Sequence, residues 1–295
     1  MRNKLPLTLA ALTLLVLIGG TNFVAVRFSN LELAPFWGAG SRFAVASFIL
    51  FIVVYFKKLR LPKGQALLGT ILYGILGFGA SYAFIYIALL QVSAGLAAVI
   101  MSLVPLLTMF LAFFQGLEKI SFRVIIGGLI AAGGIAILFN NQLTINSSSL
   151  YLLVMLGAAA VAAETGVVVK KFPKSHPLVA NAIGMGTGAA ILLILALVSK
   201  ESLMLPTLPS TWIALVYLIF IGSIIMFMLY LYVLSRWTAS ATSYTFVLFP
   251  IVATLAAAWL EKVPASFIFL VSSALVLAGV YIGVLAPLKG REKRT

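Results

Sequence analysis

Long apolar runs, broken at short intervals by polar punctuation, dominate the chain. Ten stretches are long and apolar enough to cross a membrane: about 6–27, 35–56, 66–89, 94–115, 121–140, 150–169, 178–199, 211–234, 239–260 and 264–286. A helix needs about 20 apolar residues to cross a hydrocarbon core of about 30 Å. The runs are continuous rather than alternating, which predicts helices and not barrel strands. Pro35, Pro177 and Pro264 open spans, where a missing N–H costs little. Only Gln91, Val92 and Ser93 separate the third and fourth spans, so the chain must turn there in a tight hairpin. The N-terminal run continues past Gly19 and Gly20 to Val26 and is read as a first span, not a cleaved signal. The expected fold class is therefore an all-α integral membrane protein of ten transmembrane helices.

Composition narrows the class. Of the 295 residues, 63% are hydrophobic and 9% are charged. There is no Cys, a single His, and all six acids are glutamate. Thiolate metal sites, paired-Asp catalysis and His-rich metal centres lack their residues, so no catalytic residue, cofactor or metal is expected. No G-x-x-x-x-G-K-[ST] phosphate loop occurs.

The net charge of +14 invites a nucleic-acid reading, but its distribution argues against one. With the N-terminus inside, sixteen Lys and Arg fall on inner segments: Arg2 and Lys4; Lys57, Lys58, Arg60 and Lys63; Lys119 and Arg123; Lys170, Lys171 and Lys174; Arg236; and Lys289, Arg291, Lys293 and Arg294. Three, Arg27, Lys200 and Lys262, fall outside, and Arg42 lies within a span. This is a positive-inside pattern, and it places both termini in the cytoplasm. The expected location is a bacterial or archaeal plasma membrane, crossed many times, with no nucleic-acid partner.

Landmarks recur along the chain. Tyr86–Pro105 and Leu231–Pro250 both run from the end of one span through a short polar turn into the next, 145 residues apart. Leu117-Glu118-Lys119 matches Leu260-Glu261-Lys262 at 143, Pro35 matches Pro177 at 142, and Arg27 matches Lys170 at 143. Two five-span units are expected, 1–143 and 144–295. Five is odd, so the second unit is inverted relative to the first. Inverted repeats recur in secondary transporters, with the substrate site near mid-membrane between the units.

The pattern resembles the drug/metabolite transporter superfamily, in particular its ten-helix EamA-type exporters. The resemblance rests on Gly19-Gly20-Thr21-Asn22-Phe23-Val24-Ala25, on Pro35 with Arg42, and on Ser93-Ala94-Gly95 through Pro105 to Leu117-Glu118-Lys119-Ile120-Ser121. It continues through Gly127-Gly128 and Gly133-Gly134, then Tyr232, Ala239 through Pro250, Leu260-Glu261-Lys262 and Leu277-Ala278-Gly279-Val280-Tyr281. It implies a ten-helix inverted repeat that exports amino acids or related metabolites. In one place the chain departs from the pattern: where the family tends to carry aromatics near the inner end of the sixth span, this chain has Ala162-Ala163-Glu164-Thr165-Gly166.

Span-embedded polar residues mark candidate sites. Glu164 lies roughly 9 Å from the inner end of its span, the only acid so placed; it is a candidate substrate-amine contact and proton-coupling group. Arg42 lies roughly 10 Å into the second span and could hold a substrate carboxylate, or else snorkel outward or pair with Glu32. Asn22 could bond substrate or join helices. Tyr82 and Tyr86, one turn apart, could line a cavity for an apolar or aromatic side chain, with Tyr230 and Tyr244 as second-half candidates. Pro105 and Pro250 lie near mid-span as candidate gating hinges. Gly184-x-x-x-Gly188 and Gly279-x-x-x-Gly283 read as close helix contacts, while Glu118, Glu261 and His176 read as structural or solvated.

The sum is a secondary transporter exporting small amphipathic metabolites, with protons and membrane lipids as further partners. A lipid or lipid-linked flippase is the alternative. A cavity bordered by Asn22, Tyr82 and Glu164 favours export; a lipid-wide lateral slot favours the flippase.

Overall fold

A computed structural model describes residues 5–116, 122–143, 149–237, 239–243, 245–260, 262 and 266–282. The described residues are helical or in turns and connections, with no strand among them. The helices are α1 (Leu5–Ser29), α2 (Pro35–Phe56), α3 (Gln65–Ala88), α4 (Ala94–Phe114), α5 (Phe122–Leu143), α6 (Ser149–Lys171), α7 (Pro177–Val198), α8 (Pro209–Arg236), α9 (Ala239–Ser243), α10 (Thr245–Leu260) and α11 (Phe267–Val280). Among the described residues, seven helices are long and apolar enough to cross a membrane, and shorter apolar helices run over Ile125–Gly134, Thr245–Leu260 and Phe267–Gly279. Large apolar side chains such as Leu14, Phe48, Leu129, Leu150, Ile194 and Ile213 are exposed on the helices' outer faces. So much bare hydrocarbon suits lipid contact and not water, and the chain is a multi-pass membrane protein.

Local chemistry sets the helix ends. Pro35, Pro177 and Pro209 sit in the first turn of α2, α7 and α8, after cap residues in extended conformation. The α3–α4 hairpin is short but takes five residues, 89–93, and not the three expected, because α3 ends at Ala88: backbone bonds Gln91 N to Ala88 O and Val92 N to Ala88 O close it, and Ser93 Oγ accepts from Leu96 N at the start of α4. Pro264, Glu118, Glu261 and Gly283 lie outside the described residues.

Helical geometry departs from α at matched places. Within α4, α-helix stops at Met101 and resumes at Val104. Pro105 explains the break, because it lacks an N–H and its ring crowds the carbonyl four residues back, at Met101. Pro250, by contrast, lies inside α10. In α3 the segment Gly74–Ala80 is π-helical, and in α8 the segment Phe220–Ile225 is too. Each π turn leaves backbone carbonyls displaced from the regular ladder, a feature common at functional sites.

Packing partners exchange between the two halves of the chain. Helix α1 packs on α8 and α10, and α6 packs on α3 and α4. Helix α2 packs on α8, and α7 on α3; α2 meets α7, and α5 meets α11. These contacts enclose a core of small and aromatic residues, including Phe43, Phe78, Tyr86, Ala97, Ala159 and Met185.

Candidate functional site

Two adjoining cavities lie between the halves. They share Tyr82, Ile85, Met101, Met226, Phe246 and Phe249 in their walls. The first adds Gly19, Asn22, Phe23 and Val26 from α1; the second adds Tyr73, Gly77 and Ser81 from α3, Ala162 and Thr165 from α6, and Phe227 and Tyr230 from α8. As they stand they are narrow, with about 40 and 70 Å³ of space open to water-sized contents. A mostly apolar wall with a few polar groups suits a small amphipathic solute.

Asn22 anchors the α1 wall. Its Nδ2 donates to Gly222 O at 3.2 Å and to Met226 Sδ at 3.1 Å. Beyond it lies Arg42, whose side chain is 0% exposed. The guanidinium Nε donates to Ser223 Oγ (3.1 Å), Nη2 to Gly222 O (3.1 Å), and Nη1 to Tyr86 Oη (3.1 Å) and Asn22 Oδ1 (3.5 Å). Its Cζ stands 4.5 Å from the Phe43 ring centroid and 5.0 Å from that of Tyr82. Neither snorkelling nor pairing with Glu32 describes this residue. The charge is held by neutral acceptors and ring faces, as cation–π geometry allows. The π turn of α8 makes that possible, because Gly222, within it, carries the accepting carbonyl.

Tyr82 lines both cavities and joins an edge-to-face aromatic cluster with Phe43 (4.8 Å) and Phe227 (6.1 Å). Tyr86 is fully buried behind it, occupied with Arg42, and lines neither cavity. Tyr230 faces the second cavity. Tyr244 lies outside the described residues.

Glu164 takes a different place. Gln115 Nε2, at the end of α4, donates to its Oε1 (3.0 Å) and Oε2 (2.8 Å), and it lines neither cavity. The next residue, Thr165, lines the second cavity, and its hydroxyl donates to Val161 O at 2.8 Å. Charge singles out Glu164 in the sequence, whereas Thr165 stands at the same offset of 143 from Asn22 that separates Arg27 from Lys170.

That correspondence is physical at the two cations. Arg27 Nη1 donates to Leu89 O (3.4 Å) and Val92 O (2.8 Å), at the end of α3. Lys170 Nζ donates to Leu234 O (2.5 Å) and Trp237 O (2.7 Å), at the end of α8. Each cation meets the carbonyl end of a helix, where the dipole favours positive charge.

A third cavity opens beside Lys170 and Lys174, walled by Gly69 and Thr70 of α3 and by Leu231, Leu234 and Ser235 of α8. Tyr73 is the residue that lines both this vestibule and the second cavity, and so stands between them. Tyr73 Oη donates to Asn181 Oδ1 of α7 at 3.1 Å. The sequence offered no sign of this tyrosine's place beyond its spacing from Tyr82.

At the opposite end, carboxylates join the connecting loops. Glu201 accepts from Phe36 N (3.1 Å) and Trp37 N (2.8 Å) in the first turn of α2. Glu32 accepts from Leu208 N (2.9 Å), from Thr207 N and from the Thr207 hydroxyl, just before α8. The Thr207 hydroxyl bond is the main cause that holds the Glu32 carboxyl at about 2, below its ordinary 4.5. A lowered folded value stabilises the fold fully above the ordinary value, and that contribution is lost as pH falls towards about 2. The melting temperature of the parent should therefore exceed that of Glu32→Gln at pH 7, and the gap should close in melts run towards pH 3.

The sequence model of the EamA-like transporter family matches the chain twice, over residues 7–140 and 149–285. The chain belongs to the EamA-like transporter family. Among relatives, the uncharacterized inner membrane transporter YedA of Escherichia coli K12 is 30% identical over 257 residues, covering 86% of this chain and 82% of that protein. An uncharacterized transporter of Archaeoglobus fulgidus is 27% identical, covering 92% and 97%. A probable amino-acid metabolite efflux pump of E. coli K12 is 24% identical, covering 92% of each. One solved crystal structure superposes with a TM-score of 0.68 at 18% identity, over 94% of this chain and 96% of its own, and shares the fold. This EamA-like protein is thus a membrane transporter, with a small-molecule substrate implied by its family.

Proposed function

We propose that this EamA-like protein is a secondary transporter that exports amino acids or related amphipathic metabolites by alternating access. The carrying observation is the chamber made up of the two adjoining cavities between the halves, to which Asn22 of α1 contributes in the first and Thr165 of α6 in the second, from corresponding positions. Its wall offers rings and thioethers for an apolar side chain, and amide and hydroxyl groups for polar ends. The similarity to a probable amino-acid metabolite efflux pump supports the substrate class.

In this reading the units 1–143 and 144–295 form an inverted repeat of ten spans, with both termini in the cytoplasm. They rock about the chamber, with Pro105 and Pro250 as hinges. The exchange of helix partners between halves and the paired π turns support this. Arg42 lines neither cavity; it fixes the chamber wall from behind, through Tyr82 and the α8 π turn, and its buried charge favours a substrate carboxylate in the chamber through space. Tyr230 lines the wall, Tyr86 stands behind it bonded to Arg42, and Tyr244 is a further candidate contact. Energy comes from the substrate's own gradient or from protons, and Glu164 is the coupling group. Its carboxylate is bonded to Gln115, one residue before the wall residue Thr165, so its protonation would be felt by the chamber.

Flux in membrane vesicles, screened with amino acids, purines and sugars, tests the reading. At least one amino acid should move; if no small solute in the panel moves, the reading fails. Glu164→Gln should still carry substrate down its own gradient but lose acceleration by an imposed proton gradient. Proton acceleration that survives the substitution would remove Glu164 from the coupling role.

A further inference from the structure

The two ends of the chamber are closed differently. At the end that carries Lys170 and Lys174, a vestibule already parts the two halves, and one tyrosine, Tyr73, stands between it and the chamber. At the other end, Glu32 reaches from the α1–α2 loop to the start of α8, and Glu201 reaches from the α7–α8 loop to the start of α2. Trp37 adds an indole bond, Nε1 to Met204 O at 2.8 Å. The crossing is reciprocal: each half supplies a carboxylate, and each supplies backbone N–H groups, in the first turn of α2 or just before α8, that receive one.

Glu201 sits on free N–H groups of the first turn of α2, in line with the helix dipole, and Glu32 on N–H groups of the two residues that lead into α8; both sets are charge-assisted bonds, among the stronger polar contacts available at a surface. They join residues from opposite halves, whereas Arg27 and Lys170 each join residues within one half. Rocking the halves apart at this end must break both carboxylate sets. A group that merely capped its own helix would ride along with it.

We propose that Glu32 and Glu201 form a two-armed latch that holds the non-cytoplasmic side of the transporter shut, and that its release gates opening to that side. The latch rests on the transport reading above. It makes the pair positioning residues: they touch no chamber wall, and they set which side the chamber faces.

Because the chain has no native cysteine, thiol chemistry reads the latch directly. Ala162→Cys puts one thiol in the chamber wall. A membrane-impermeant maleimide, applied from either side of oriented vesicles, gives an outer-to-inner labelling ratio. In this background, Glu32→Gln with Glu201→Gln should raise the ratio about tenfold, because neutral acceptors replace charge-assisted ones and the outward-open population grows. A general loosening would raise labelling from both sides and leave the ratio unchanged, and that result overturns the latch. Bridging Glu32→Cys to Thr207→Cys with a short bis-thiol reagent, before Ala162→Cys is introduced, should stop flux reversibly, with recovery when a reducible bridge is cleaved. Flux that continues with the bridge intact also overturns it. The labelling ratio needs no transported solute, so a shifted ratio with no solute moving counts against the transport reading alone.

Discussion

Replacing Arg42 by Met should remove transport and destabilise the protein more than any other single change in the chamber region, and Arg42→Lys should not restore either. The side chain is 0% exposed and donates to Ser223, Gly222, Tyr86 and Asn22, while its guanidinium faces the Phe43 and Tyr82 rings. Methionine fills the space but leaves the Tyr86 and Ser223 hydroxyls and the Asn22 amide oxygen without this donor, inside a region where water is scarce. Hydrogen bonds to a charged group contribute about 1.5–3 kcal/mol each, and stripping one side of a buried charged network costs about 3–5 kcal/mol. Lysine keeps the charge but presents it as a point, with no planar fork to serve Ser223, Gly222 and Tyr86 together. The α8 π turn would lose its side-chain brace, and the Tyr82 ring its backing. Melting temperature in detergent, together with vesicle flux, checks this. A Lys variant with parental stability and flux would show that position 42 needs only a positive charge.

The second large effect is steric. Gly188→Ala should weaken the packing of α7 on the π turn of α3 and depress both stability and flux. A Cβ at 188 would lie 2.8 Å from the Phe78 carbonyl carbon and 2.9 Å from Gly79 N. Both are backbone atoms and cannot rotate away, so one helix must shift. Overpacking of this kind costs about 1–3 kcal/mol, and more where backbone is the obstacle. The contact also positions the chamber, because Gly77, Ser81 and Tyr82 flank it on the same helix. Gly157→Ala is the matched control. There the added methyl would meet the Phe84 ring at 3.4 Å, an ordinary contact, and stability should stay close to the parent. Equal losses in the two variants would mean that the α3–α7 approach has no special place in the fold.

Much of the fold is legible in the sequence because membrane burial leaves few choices. An apolar run of about 20 residues has no other home, and prolines at helix starts and a short break between the third and fourth runs mark the connections. The packing of Gly184 and Gly188 against Tyr73 and Phe78 follows from their spacing on one helix face. The site was legible only in part, for physical reasons. Glu164 attracts notice by its charge, but a helix turns about 100° per residue, and it is the neighbouring Thr165 that reaches the chamber. Arg42 was conspicuous while its partners were not, since a backbone carbonyl exposed by a π turn leaves no mark in composition. Glu32 looked like a partner for a nearby cation, but its partners are backbone N–H groups about 175 residues away in the chain. Tyr73 gives no signal of standing between two cavities, because that place exists only when α3, α6 and α8 are brought together.

The central claim is that solute crosses through the chamber between Asn22, Tyr82 and Thr165. Blocking that chamber tests it most directly. In proteoliposomes loaded with the amino acid that moves fastest, Ala162→Cys should carry flux until a bulky thiol reagent is added, and then stop. Phe48→Cys, on an exposed outer face, should carry flux before and after the same treatment. Undiminished flux through fully modified Ala162→Cys would contradict the account.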